Sequence, residues 1–302
     1  MNRCVGRLLS RCIRKPLSLA VIAAVLSSVA SAALPLHKEA SSPFDLKVSG
    51  MLQGVPAGEV RYVQWKELKA LPHHTMSVTG EFVPGEQTIT YVWLSDLWKA
   101  LPTLAGADTV LAACADGYAS VYRDSFIQEY KPFVVLEING KGPDTWPPEG
   151  LTFNPGPYVI SISEAIVPKV HGLLDAGHKK PWGVNAIEVV RYDQRFSVFL
   201  EGRWSALSPR AAEGRELWVN SCFSCHQAPG ATLGGWKSGR PFEVVSAHAG
   251  YNRDYFMRFV RDPQKTMPGA KMEAHPHYTD TQLEALMAFI TAESSTKTAA
   301  KP

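Results

Sequence analysis

Cys222-Phe223-Ser224-Cys225-His226 sets two thiols three positions apart, with an imidazole directly after the second. At that spacing each thiol can add across a vinyl group of one haem, and the histidine lies under the iron as its proximal nitrogen ligand. A structural zinc site needs two further ligands, usually a second Cys or His pair, and no second Cys-x-x-Cys exists here. A thioredoxin-like thiol pair follows a strand in a βαβ unit, whereas a helical segment precedes this one. The pentapeptide therefore reads as the attachment site of one covalent haem c, with Cys222 and Cys225 as tethers and His226 on the iron. A sixth ligand must come from the stretch that follows. The thioethers of Met267 and Met272, in Thr266-Met267-Pro268-Gly269-Ala270-Lys271-Met272, are candidates; His248, His275 or His277 would instead make a bis-histidine site. A thioether raises the reduction potential relative to a second histidine and suits electron transfer.

Two helices must position these groups. Ser208 followed by Pro209 forms an N-cap and first helical residue, and the helix runs through Glu213, Gly214, Leu217 and Trp218 into the motif. Near the C-terminus Thr279-Asp280-Thr281-Gln282 has the Thr-x-x-Gln pattern of a capping box. Behind it Leu283, Leu286, Met287 and Ile290 recur at helical spacing. Gly214 lacks a side chain, so the second helix can cross closely there, with Trp218 packing on Phe289. Tyr251, Tyr255, Phe256 and Phe259 are expected on a further helix that walls the cofactor. Pro229 and Pro241 offer carbonyls that can take the Nδ1 proton of His226. With these features in this order, residues 208–292 resemble a class I cytochrome c domain. The resemblance implies that Met272, which follows the Pro-Gly turn, is the axial methionine, and leaves Met267 as the alternative.

The N-terminus names a compartment. Arg3, Arg7, Arg11, Arg14 and Lys15 precede the apolar run Leu17 to Val29, and Ala30-Ser31-Ala32 offers a small-residue cleavage site. This is the pattern of an export signal over residues 1–32, and its apolar run is shorter than the ~20 residues that span a membrane. The chain carries 31 basic and 28 acidic residues; five basic and no acidic ones precede Ala33, which leaves the exported chain at −2. Residues 34–205 carry −4 and residues 206–302 carry +2. With no basic stretch interleaved with aromatics, nucleic-acid binding is excluded from the reading.

Between signal and haem region the pattern is β-rich. Strands are expected at 45–48, 59–63, 75–80, 87–93, 109–113, 133–138, 158–162 and 186–192, with short helices at 65–70 and 95–101, the latter capped by Ser95. Phe196 to Leu200 is strand-like and gives way to a polar boundary near Glu201 to Arg210. Several segments resemble the molybdopterin-binding domain of the sulfite oxidase family. They are Val92-Trp93-Leu94-Ser95-Asp96-Leu97-Trp98, Asp116-Gly117-Tyr118 between two strands, Gly156-Pro157-Tyr158-Val159-Ile160, and Trp182 with Asn185 to Val189. That family holds molybdenum through a cysteine on the segment matching His73 to Thr79, which has none here. Cys114 lies on another strand and reads as a small buried hydrophobe. His73 and His74, adjacent on a strand, point to opposite faces and read as surface residues.

The expectation is a multidomain chain: signal peptide 1–32, a sulfite oxidase-like α+β domain 33–205, an all-α cytochrome c domain 206–293 and a disordered tail 294–302. Its expected function is periplasmic transfer of single electrons between a redox-protein donor and acceptor. The chain carries one haem c and no molybdopterin, and it does not span a membrane once the signal is removed. The alternatives are a molybdenum oxidoreductase with a fused haem acceptor and a haem-based sensor or binding module.

Overall fold

The structure, a computed structural model, describes residues 33–298 other than 232, 236 and 239. The expected signal, residues 1–32, lies outside the described residues, as do residues 299–302. Alternating runs such as Glu86–Trp93 and near-continuous apolar runs such as Phe133–Ile138 build nine strands: β1 Leu46–Gly50, β2 Val60–Val63, β3 His74–Thr79, β4 Glu86–Trp93, β5 Thr109–Cys114, β6 Ala119–Arg123, β7 Phe133–Ile138, β8 Tyr158–Ser161 and β9 Trp182–Val190. They form one mixed sheet in the order β2-β1-β9-β8-β7-β4-β3. β1 runs parallel to β9, and the β5–β6 hairpin pairs antiparallel to β9 through β5. Three short helices join them: α1 Trp65–Lys69, α2 Leu94–Ala100 and α3 Asp124–Tyr130. Helix α2 starts at Leu94 on an extended Trp93 with no side-chain cap, so Ser95 is not its N-cap as the sequence implies. Strand β6 and helix α3 had no expected counterpart in the sequence pattern, although Asp116-Gly117-Tyr118 does form the turn before β6.

After β9 the chain turns helical. The strand-like Phe196 to Leu200 is not a strand: α4 Tyr192–Arg195 leads into a 3-10 turn at Ser197–Phe199. Phe196 and Phe199 sit three apart, and both are fully buried by that turn. Helices α5 Pro209–Leu217, α6 Phe242–Tyr251, α7 Arg253–Arg261, α8 Pro263–Thr266 and α9 Asp280–Thr298 follow. Helix α9 continues past Ser294, where the sequence reading begins its tail.

The apolar residues form two main clusters. The first fills one face of the sheet with Val48, Val92, Val110, Ala112, Tyr122, Ile160 and Ile187. The second gathers Trp218, Phe223, Phe242, Leu283, Leu286 and Phe289 of the helices and includes Leu111, Ala119 and Val121 of the β5–β6 hairpin. Alternation along β5 explains this: Val110, Ala112 and Cys114 face the first cluster and Leu111 the second. An all-apolar strand such as Leu111-Ala112-Ala113-Cys114 suits burial on both sides. The boundary expected at 205/206 thus crosses a shared core. Among the described residues no helix is long and apolar enough to cross a membrane.

Candidate haem site

Ser208 caps α5 through its Oγ, which accepts the Ala211 N–H at 3.2 Å, and Pro209 follows at the first helical position. At Gly214 a Cβ would lie 1.9 Å from the Ala285 carbonyl oxygen, so α9 crosses α5 at backbone contact. Thr279 and Gln282 satisfy each other's N–H groups at the start of α9, at 3.2 and 2.9 Å. Trp218 packs on Phe289 at 6.4 Å between ring centroids. All four sequence expectations stand.

Helix α5 passes into a π-helical turn over Trp218–Cys222, which delivers the motif. The Cys225 and His226 N–H groups both donate to the Cys222 carbonyl, at 3.1 and 2.9 Å, so both thiols and the imidazole belong to one tight turn. Neither thiol is in a disulfide. Gly234, at φ +72°, passes so close that a Cβ would sit 2.0 Å from the Phe223 carbonyl oxygen. Burial, with Arg240 and His275 nearby, holds the His226 imidazole down at about 4, so it is neutral and has a free lone pair at physiological pH. Ser238 Oγ lies 3.3 Å from His226 Nδ1. This serine, rather than a proline carbonyl, is positioned to fix the ring, and its loop position gives no sequence signal.

The two candidate thioethers separate. Met272 is half-buried and packs against the same apolar cluster as Cys222, while Met267 is 39 % exposed. Gln264 Nε2 donates to the Met272 carbonyl at 2.8 Å and ties the Met272 loop to α8. His248 meets Tyr255 edge-on, and His275 and His277 both approach Asp175. Phe256 is buried as expected of a wall residue, but Tyr251 is 91 % exposed at the end of α6. These residues fit a haem c: two unpaired thiols, a neutral imidazole on the same turn and an apolar surround. The Trp218 indole N–H, buried beside His226 with ring centroids 5.8 Å apart, finds no hydrogen-bond partner among the described residues.

The sheet seats the motif in a way the sequence did not disclose. The Ser224 hydroxyl donates to the Ala119 carbonyl, and Ser221 bonds Asp175. Lys179 Nζ donates to the Val121 carbonyl at 2.6 Å and to Asn220 Oδ1 at 3.0 Å. Lys237 pairs with Asp116 at 3.0 Å. Phe223, the other residue between the cysteines, meets Phe196 edge-on at 5.5 Å.

The matching pterin segment fares differently. On β3 there is no thiol, and His74 packs between Tyr91 and Trp93 at 5.5 Å from each ring. Cys114 is buried at the end of β5, and burial pushes its thiol up to about 12, which keeps it protonated. The residues here do not fit a thiolate-held molybdenum.

Residues 209–290 match the family of cbb3-type cytochrome c oxidase subunit III. Cytochrome c oxidase subunit 2 of Alkalihalophilus pseudofirmus is 31 % identical over 87 residues, which is 26 % of this chain and 25 % of that protein. The chain therefore spans about a quarter of the curated relative it matches. The helical C-terminal region is a c-type cytochrome domain, preceded by a β-rich region, and the domain implies haem c, haem-based electron transfer and redox partners.

Proposed function

We propose that this chain is an exported, periplasmic carrier of single electrons with one haem c, tethered by Cys222 and Cys225 and ligated by His226 and Met272. The haem supplies a one-electron iron couple, and the chain supplies its tethers, its ligands and an apolar surround. The observation that carries the reading is the division of the two methionines: Met272 turns into the cluster shared with Cys222, while Met267 turns to solvent. The β-rich region, similar in sequence pattern to the molybdopterin-binding domain of the sulfite oxidase family, lacks that family's thiolate. In this reading it is a fixed support for the haem motif, and a separate redox protein delivers and another removes the electron.

Acid-acetone extraction of the periplasmic protein should leave the colour on the polypeptide, with one iron and no molybdenum per chain. The oxidised protein should show the weak charge-transfer band at the red end of the visible spectrum that reports iron–sulfur ligation. Met272→Ala should abolish that band and lower the potential, and Met267→Ala should change neither. Loss of the band in Met267→Ala alone, or stoichiometric molybdenum, would overturn the proposal.

A further inference from the structure

Beside the haem motif lies a second cluster of ligating side chains that electron transfer does not require. Asp175 and His178 sit on the segment that carries two 3-10 turns, Pro168–Gly172 and Ala176–Lys179. His275 lies on the loop between α8 and α9. One ligand-capable atom from each of the three falls within 4.8 Å of the other two. They line a cleft of about 410 Å³, together with His171, Glu273 and His277.

The hydrogen bonds around the cluster leave its ligating atoms turned to one another. Asp175 Oδ2 is taken by the hydroxyls of Ser221 and Tyr278, which leaves Oδ1 to face His275 Nδ1 at 3.2 Å and His277 Nε2 at 2.7 Å. Burial pushes the Asp175 carboxyl up, but hydrogen bonds from His275, Ser221 and Tyr278 outweigh it and hold the carboxyl well below the usual range. It is therefore a buried anion. His178, only 9 % exposed, holds its Nδ1 against the Tyr118 hydroxyl at 2.6 Å. Its Nε2 is buried and has no hydrogen-bond partner among the described residues. The His178 and His275 rings stack within 13° of parallel at 5.8 Å.

The geometry points to a binding site for one divalent cation of the zinc or copper class, with His178, His275 and Asp175 as its protein ligands and the cleft holding the open position. Two imidazoles and a carboxylate suit these borderline cations better than magnesium or calcium, which prefer all-oxygen shells. Tetrahedral bonds of ~2.0–2.1 Å put neighbouring ligand atoms ~3.3 Å apart, so the side chains need only close in by torsion. The Tyr118 hydroxyl on Nδ1 fixes the His178 ring and leaves Nε2 as its free ligating atom, in the place that a carboxylate, carbonyl or water takes beside other metal-bound imidazoles. The cation would replace protons now shared between the histidines and Asp175 and would join segments 100 residues apart in sequence.

The test uses full-length haem-loaded protein stripped with chelator and titrated with zinc chloride. Calorimetry should find one equivalent bound, and X-ray absorption at the zinc edge should show a nitrogen and oxygen shell without sulfur. His178→Gln and His275→Gln should each weaken binding more than tenfold. Tyr118→Phe should weaken it 10- to 100-fold, and His248→Ala should leave it unchanged. The haem spectrum should be the same in every variant, which also reports that each has folded. Unchanged zinc affinity in both glutamine variants would overturn the site, as would sulfur in the zinc shell. A changed iron spectrum in His275→Gln would overturn it by assigning that imidazole to the haem. Met272→Ala leaves the cation ligands intact, so failure of the haem-ligand assignment is read separately from failure here.

Discussion

Replacing Gly214 with alanine sets two physical effects of opposite sign against each other. In an exposed helix interior Gly→Ala stabilises by about 1 kcal/mol, because alanine loses less backbone entropy. At Gly214 the new methyl would lie 1.9 Å from the Ala285 carbonyl oxygen, 2.4 Å from its carbon and 2.9 Å from the Leu286 nitrogen. Ordinary contact starts near 3.4 Å, so α9 must retreat by more than an ångström. All three atoms are backbone, and no rotamer change can relieve them. Overpacking of this kind costs about 1–3 kcal/mol, and the retreat also loosens Trp218 from Phe289. The crossing term outweighs the propensity gain, and we expect Gly214→Ala to be net destabilising by up to ~2 kcal/mol, read as a lower urea midpoint for the haem-loaded protein at unchanged slope. Gly214→Ser should cost at least as much. A neutral or more stable Gly214→Ala would refute the reasoning, since it would mean that propensity alone governs this position and the helices do not meet there.

Two further outcomes follow from buried groups at the junction. Burial holds the Lys179 ammonium down from 10.5 to about 7. Below about pH 7 it is protonated in both states; between there and 10.5 the unfolded chain keeps a proton the fold has released, so its contribution to stability rises with pH across that window. Lys179→Met should flatten the rise by roughly 1 kcal/mol per pH unit and stabilise the protein at pH 6, as measured by denaturation at a series of pH values; an unchanged slope would show the amine to be solvated. Ser238→Ala removes the group beside His226 Nδ1; with the proposed ligation by His226, it should make the imidazole a weaker donor to ferric iron and raise the potential. The shift should be roughly 20–60 mV, the equivalent of a ~0.5–1.5 kcal/mol hydrogen bond, and no change in a redox titration would remove Ser238 from the site.

The haem helices were legible because their signals are local. Ser208-Pro209, the Thr279 to Gln282 box and the apolar spacing of α9 each act within one or two turns, and Gly214 advertises a crossing by what it lacks. The seating of the motif was not legible. Asp175 meets Ser221 across 46 positions and His275 across 100, and nothing in a one-dimensional pattern brings them together. Ser221 and Ser224 look like spacers until Asp175 supplies the acceptor for one and Ala119 of β6 the acceptor for the other. The strand-like Phe196 to Leu200 misled because Phe196 and Phe199 suit either an extended edge or a 3-10 turn, and tertiary burial of both rings selected the turn. Ser95 misled because a polar residue near a helix start is an N-cap only if the backbone leaves the helix there.

The β5–β6 hairpin has no free face, and this decides how the chain can change over generations. The segment that matches the cytochrome family begins at 209, yet part of the apolar wall behind its motif is Leu111, Ala119 and Val121. A haem unit built on borrowed strands is not a cassette that recombination can cut out and graft elsewhere without exposing both halves of that wall. Substitutions at Leu111, Ala119 and Val121 are constrained by the helical residues of the cluster they share, and the sheet and the helices inherit one another's stability. On heating, the two regions are expected to melt together, read as one calorimetric transition; two separate transitions would contradict the shared wall.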